Sequence, residues 1–186
     1  MASVPCMTLT QYFVAMSIDG YIAEPAEQLD WLSQFSDLEG KRRRYERFFD
    51  EVGAIAMGAR SYEFIHRHNA PWFYGDRPTW VFTHRNLPHL DGADLRFTDS
   101  DVIEVHPRLV EAAKGKNVWI LGGAELASQF VRADLVDELH IGVAPVLVGS
   151  GTRLLHAKAY TPWALAETNQ YGSFLALRYV APGRGR

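Results

Sequence analysis

The stretch Val118-Trp119-Ile120-Leu121-Gly122-Gly123-Ala124-Glu125-Leu126 constrains the fold of this chain more than any other. Four apolar residues make a buried strand, two glycines follow, and a helical run continues to Phe130. The same junction suits phosphate. Without Cβ atoms, glycines let a ligand approach the backbone, and a helix start offers free N–H groups and the positive end of a dipole. A tight turn that binds nothing is the plainer reading of this stretch alone. The rest of the chain decides between the two.

Two further junctions repeat the pattern. Gly53 to Met57 is a short apolar strand ending in Gly58, and Ala59-Arg60-Ser61-Tyr62-Glu63-Phe64 then starts a helix. Arg60 can pair with a phosphate, and Ser61 can donate to one or cap the helix. Pro78 to Phe82 is another apolar strand, and it ends in Thr83-His84-Arg85. Polar residues at the carboxyl ends of parallel strands lie where open α/β sheets bind ligands. A ligand that touches all three junctions carries more than one phosphate, or a phosphate and a long adenosine, which points to a dinucleotide. The Gly-x-Gly-x-x-Gly fingerprint is absent after the first strand, and no early acid is placed to take a ribose hydroxyl. Arg60 and Arg85 instead suit a 2′-phosphate, favouring NADP(H) over NAD(H).

The remaining segments set the architecture. Gln11 to Met16 is an apolar strand with little alternation, Ser17-Ile18-Asp19-Gly20 is a turn, and Tyr21-Ile22-Ala23 resumes. Leu29-Asp30-Trp31-Leu32 starts a short helix. Glu39 to Val52 is a helix whose Leu38, Tyr45, Phe48, Phe49 and Val52 fall close to one face. Lys41, Arg42, Arg43 and Arg44 run through its first half. That run reads as a solvated face, with an anionic substrate site as the other reading. Val102 to Val105 is a short strand candidate and Pro107 to Lys114 a helix with Pro at its start. Trp163 to Glu167 and Ser173 to Val180 form a hairpin around Asn169-Gln170-Tyr171-Gly172. Early strands alternate with helices and late ones are consecutive, which predicts an α/β fold with a mostly parallel sheet and an antiparallel end.

Composition narrows the function. At 186 residues, 47% of them apolar, the chain is long enough for one well-packed domain. A net charge of −3 argues against a nucleic-acid binder driven by phosphate neutralisation. The single cysteine, Cys6, excludes an internal disulfide and makes a cysteine-based zinc site a poor expectation. The N-terminus has no signal-peptide pattern, and no apolar run approaches the roughly 20 residues of a membrane span. A cytoplasmic protein is expected. His66, His68, His84 and His89 lack carboxylates or cysteines at ligand spacing, so no metal is expected. No Gly-x-Ser-x-Gly elbow or Walker sequence occurs.

Four motifs, in order, carry a family resemblance: Met16-Ser17-Ile18-Asp19-Gly20-Tyr21-Ile22-Ala23, Leu29-Asp30-Trp31-Leu32, Met57-Gly58-Ala59-Arg60-Ser61-Tyr62-Glu63, and Leu121-Gly122-Gly123-Ala124 with Val136-Asp137-Glu138-Leu139. Together they resemble the dihydrofolate reductase-like superfamily, and within it the branch that holds the reductase domain of riboflavin biosynthesis. The resemblance spans about residues 10 to 180. It implies a three-layer dihydrofolate reductase-like fold, with NADPH across the carboxyl ends of the central strands.

Carried over by position, it implies that Ala15 and Ile22 flank the nicotinamide. Gly58, Arg60 and Ser61 would meet the pyrophosphate region, and Thr83, His84 and Arg85 the adenosine 2′-phosphate. Leu121, Gly122, Gly123, Ala124, Glu125 and Leu126 would hold the pyrophosphate and the nicotinamide side. The family's Gly-Arg-x-Thr junction is altered, since Ala59 stands at the arginine position and Arg60 follows it.

Other departures bear on substrate. The pterin-binding carboxylate of dihydrofolate reductase has two candidate equivalents, Asp30 and Asp37. Leu121 stands where the riboflavin-pathway reductase carries an acidic substrate ligand, and Tyr21 where it carries a lysine. Both argue against its ribosylated pyrimidine as substrate. That pathway's fused deaminase signature, His-x-Glu with Pro-Cys-x-x-Cys, is absent.

The expected activity is NADPH-dependent hydride transfer to a planar heterocyclic small molecule, pterin- or folate-like or pyrimidine-like. Asp19, Asp30 and Tyr62 are the candidate proton donors, with water as the alternative. The second reading, prompted by the missing carboxylate, is a non-catalytic NADP(H)-binding or regulatory protein. A homodimer is common in the resembled branch.

Overall fold

Burial on both faces selects β1 (Thr10–Ser17) as the centre of the sheet, because only a strand covered on both sides tolerates so continuous an apolar run. In the computed structural model, which describes residues 7–25, 28–36, 38–67, 72–158 and 160–184, the elements that follow are these. The first half holds β2 (Tyr21–Ala23), α1 (Asp30–Ser33), α2 (Glu39–Asp50), β3 (Val52–Gly58), α3 (Ala59–Arg67), β4 (Thr79–Phe82) and β5 (Leu95–Thr98). The second half holds α4 (Val102–Ala112), β6 (Asn117–Gly122), α5 (Ala124–Arg132), β7 (Glu138–Ala144), β8 (Thr152–Arg153), β9 (Ala164–Tyr171) and β10 (Phe174–Val180).

The main sheet has the order β5-β4-β3-β6-β1-β7-β10-β9. Its first six strands are parallel, and β10 and β9 close it antiparallel. Tyr12 of β1 packs with Leu109 of α4 and Phe130 of α5 on one face. Its neighbour Phe13 packs against Phe48 of α2 on the other. Two helical layers therefore sandwich the sheet, the three-layer α/β arrangement expected from the resemblance. β2 pairs with β8 in a small separate sheet, not in the main one. Among the described residues, no helix is long and apolar enough to cross a membrane.

Four local expectations are corrected. Val102–Val105 is the first turn of α4 and not a strand. Asp101 caps it, its Oδ1 accepting from the Ile103 N–H at 2.8 Å. Val102, Val105 and Leu109 then fall on one buried face, and Pro107 sits inside the helix. The edge strand β5 was not expected, because Leu-Arg-Phe-Thr is short and mostly solvent-facing. β9 runs on through Asn169 to Tyr171, so the hairpin turn is the pair Gly172-Ser173, with Gly172 at φ +60°. The basic run on α2 is not uniformly solvated, because Arg44 is buried at 9% exposure. Cys6, Asp37, His68, Ala70 and Pro71 lie outside the described residues.

Candidate functional site

The carboxyl ends of β1, β3, β4 and β6 open into one cleft of about 1320 Å³. The strand order reverses there: the chain leaves β1, builds β3, β4 and β5 outward, and returns to lay β6 between β3 and β1. Such a switch point leaves a crevice above the sheet. All fourteen residues expected to meet the cofactor line this cleft: Ala15, Ile22, Gly58, Arg60, Ser61, Thr83, His84, Arg85, Leu121, Gly122, Gly123, Ala124, Glu125 and Leu126.

The Gly-Gly junction is built for close backbone approach. Gly122 adopts φ +127°, a conformation a side chain resists. A Cβ on Gly58 would lie 3.3 Å from the Gly123 nitrogen and 3.4 Å from the Gly122 oxygen, so β3 and β6 meet almost backbone to backbone. Ser61 Oγ would be 3.8 Å from a Cβ on Gly122, placing the first turn of α3 beside the same corner. Gly123 is the N-cap of α5 and supplies no side chain to its first turn. Ala124, Glu125 and Leu126 of that first turn line the crevice, and the N–H groups that a helix start leaves unbonded suit a pyrophosphate.

The other end of the cleft carries charge. Thr83 Oγ1 accepts from the Arg85 N–H at 3.0 Å and fixes the turn after β4. Arg85 then reaches α3 and donates from both terminal nitrogens to Glu63, at 2.8 and 2.9 Å. Its guanidinium fork is therefore occupied by a carboxylate, which the sequence pattern did not reveal. On the α5 side, the pKa of Glu125 is lowered, first by a hydrogen bond from Arg132.

The candidate proton donors are placed elsewhere. Asp19, Asp30 and Tyr62 do not line the cleft. Asp19 accepts from Ser17 Oγ at 2.5 Å and from the Val148 and Gly149 N–H groups at 3.1 and 2.7 Å. The Ser17 hydrogen bond, followed by those backbone donors, brings its pKa down to about 2, so it is a turn-forming carboxylate. Asp30 sits in the exposed first turn of α1 and turns to solvent. Tyr62 is wholly buried and donates to the Pro88 carbonyl at 2.5 Å, with burial raising its pKa.

Sequence reasoning missed an apolar and aromatic half of the cleft. Phe13, Leu29, Leu32, Tyr74 and Trp119 line it together with Leu121. Trp119 packs edge-on against Tyr74, with ring centroids 5.7 Å apart, and against Phe48 at 5.5 Å. Tyr74 lies in a run legible as an aromatic loop, but nothing in its spacing to Trp119 announces their contact. His156 also reaches the cleft, anchored by its N–H to Ser128 Oγ at 2.7 Å. Among the described residues, no group of three or more His, Cys, Asp or Glu side chains converges as a metal site.

The match to known proteins follows this geometry. The model for the RibD C-terminal domain matches residues 66–177, more than half of the chain. The chain belongs to the RibD C-terminal domain family. YwjB of Bacillus subtilis (strain 168), described as an uncharacterized protein, is 34% identical over 172 residues, covering 92% of this chain and 97% of that one. A putative riboflavin biosynthesis protein from Shewanella sp. PV-4 superposes with a TM-score of 0.78 at 21% identity, over 93% of this chain and 98% of that one. Dihydrofolate reductase from Enterococcus faecalis, solved with NADP(H), superposes at 0.63 with 14% identity, over 94% of this chain and 96% of that one. At these identities the two structures establish the fold. The fold is thus one that this chain shares with dihydrofolate reductase.

Proposed function

We propose that the protein is an NADPH-dependent reductase that passes a hydride to a planar heterocyclic small molecule. The observation that carries this reading is the cleft itself. One crevice joins a glycine corner with an uncapped helix start, a cationic turn and an apolar aromatic half. The corner suits a pyrophosphate, the cationic turn a 2′-phosphate, and the aromatic half a flat ring.

NADPH, when bound, supplies the hydride. The chain's own part is positioning. Gly58, Gly122 and Gly123 let the pyrophosphate approach the backbone, and the N–H groups from Ala124 onward receive its charge. Arg60, His84 and Arg85 face the adenosine end. Ala15, Ile22 and Leu121 wall the nicotinamide, while Phe13, Tyr74 and Trp119 orient the acceptor ring against it. Asp19, Asp30 and Tyr62 point away, so solvent water delivers the proton. Leu121, in place of an acid, keeps the acceptor side apolar, which favours a pterin-like ring over a ribosylated pyrimidine. A cytoplasmic, homodimeric protein acting on a diffusible substrate fits this reading.

The test is a direct titration of NADPH, followed by its oxidation against a panel of pterins, folates and pyrimidines. Binding with turnover on any of them supports the reductase. Tight binding with no turnover on any compound favours a non-catalytic NADP(H)-binding protein, and no binding at all overturns both.

A further inference from the structure

Among the described residues, the buried side-chain polar atoms without a hydrogen-bond partner are Gln11 Oε1, Tyr12 Oη, Trp31 Nε1 and Trp119 Nε1. Of these residues, Tyr12 and Trp119 line the cleft. Tyr12 packs with Leu109 and Phe130 on the face of the sheet covered by α4 and α5. Trp119 belongs to the opposite face and to the aromatic half of the cleft.

Alternation along β6 puts Trp119 and Leu121 on one face, with Trp119 further from the carboxyl end of the strand. Trp119 therefore lies beneath Leu121, at the floor of the apolar half, and is only 5% exposed. Four rings stand nearly perpendicular to its indole: Phe48 at 5.5 Å, Tyr74 at 5.7 Å, and Tyr45 and Phe49 both at 6.2 Å. They hold the indole in one orientation. Trp72, in the same aromatic wall, shows how a tryptophan N–H is ordinarily satisfied, since its Nε1 donates to the Gly75 carbonyl at 2.9 Å. Trp119 has no such bond.

A buried donor left unpaired is destabilising, and an acceptor brought by a ligand removes that cost. An N–H···π contact with one of the four rings is the plainer account of the indole. Such a contact is second-order beside a bond to oxygen or nitrogen. It also leaves unexplained why the unpaired donor stands in the wall of the cleft, where the neighbouring side chains Phe13, Leu29, Leu32 and Leu121 carry no acceptor.

We propose that Trp119 is a specificity-determining residue, whose indole N–H donates to a hydrogen-bond acceptor on the buried edge of the planar substrate. An indole N–H only donates. The substrate class therefore narrows to heterocycles that turn a carbonyl oxygen or an unprotonated ring nitrogen to the cleft floor. A ring that presents only C–H or N–H groups there leaves the donor unpaired. The assignment rests on the reductase reading for the presence of a planar ring in this half of the cleft.

The experiment titrates quinoxaline, isoquinoline and naphthalene into the isotope-labelled full chain at mildly alkaline pH, with NADPH titrated separately. The probes share one bicyclic shape and differ in their ring nitrogens, of which naphthalene has none. Naphthalene is the most apolar of the three, so burial alone favours it. The expected result is that at least one nitrogen heterocycle binds about threefold or more tightly than naphthalene, and moves the Trp119 indole N–H resonance downfield while that of Trp31 stays in place. Trp119→Phe removes the donor and keeps a ring, and should cut the preference for the heterocycle over naphthalene about three- to tenfold. Naphthalene binding as tightly as the heterocycles, no binding of any probe, an unmoved Trp119 resonance, or a folded variant that keeps the preference overturns the proposal. Should Trp119→Phe fail to fold, the wild-type resonance decides the question. Heterocycle preference without NADPH binding supports the Trp119 contact and sinks the reductase reading; NADPH binding without heterocycle preference does the reverse.

Discussion

Single residues in the cleft carry the sharpest expectations. Gly122 at φ +127° has no comfortable replacement. Gly122→Ala should cost about 1–3 kcal/mol, the usual scale for a non-glycine residue held in sparsely populated backbone space. Chemical denaturation would show it as a lowered midpoint at unchanged slope. The Arg85–Glu63 pair makes a subtler prediction. Glu63 occupies the fork that a 2′-phosphate needs, and the pair is partly exposed, so releasing it should gain little. Glu63→Gln should raise NADPH affinity by up to about fivefold and leave NADH affinity unchanged. Arg85→Ala should remove the preference for NADPH over NADH. A parallel pair of titrations with the two cofactors checks both, and an unaltered preference in Arg85→Ala would remove that residue as the phosphate clamp.

At the scale of elements, α4 shows how a cap decides between helix and strand. Val102-Ile103-Glu104-Val105 is rich in β-branched residues and Pro107 follows, so local propensity favours a strand that stops. The structure instead starts a helix at Asp101, whose carboxylate satisfies the Ile103 N–H, and buries Val102, Val105 and Leu109 against β3 and β6. Packing of one face outweighs propensity here. Asp101→Ala should therefore cost about 0.5–2 kcal/mol, read as a drop in thermal midpoint.

The same contrast explains what was legible in the chain. Each strand–glycine–helix junction could be read locally, because the glycine is needed by the backbone at that point. All three junctions therefore lie in one cleft, as expected. Contacts made across the sheet left no local trace. Glu63 was only a helix residue until the fold set it beside Arg85. Trp119 and Tyr74 were core and loop until they closed one wall. The edge strand β5 carried too few apolar residues to announce itself, because an edge needs little burial. Arg44 hid within a basic run whose average character is solvated, and only the fold separates it from exposed Arg43.

The whole molecule divides its chemistry between two halves of the sheet. The strands β3, β4, β6 and β1 end in the cleft, and the other side of the sheet, from parallel β7 to the antiparallel β10 and β9, carries a buried polar chain. In that chain His140 Nε2 faces Glu138 at 2.9 Å while its Nδ1 faces Arg44. A neutral imidazole satisfies both contacts, donating to the carboxylate and accepting from the guanidinium; a protonated one would set two donors against each other. Burial, the largest influence, lowers the His140 pKa in keeping with this. Glu138 is pulled the other way by burial, but hydrogen bonds from His140, Gln11 and Arg178 outweigh it and bring its pKa down to about 2.

Both groups have folded-state values below their ordinary ones, so both add stability at neutral pH that acid removes. The His140 contribution is fully present above its ordinary value near 6.5 and is lost as pH falls below it. The Glu138 contribution is present above about 4.5 and is lost as pH falls towards about 2, amounting to about 3 kcal/mol in all. Urea midpoints measured from about pH 7 downward should fall in two stages, one for each group. Glu138→Gln should lower the neutral-pH midpoint and flatten the second stage, while Arg178, which holds the other carboxylate oxygen, keeps its partner Glu167. A wild-type profile that stays level from about pH 7 to about pH 3 would show that this chain does not hold the two halves of the sheet together.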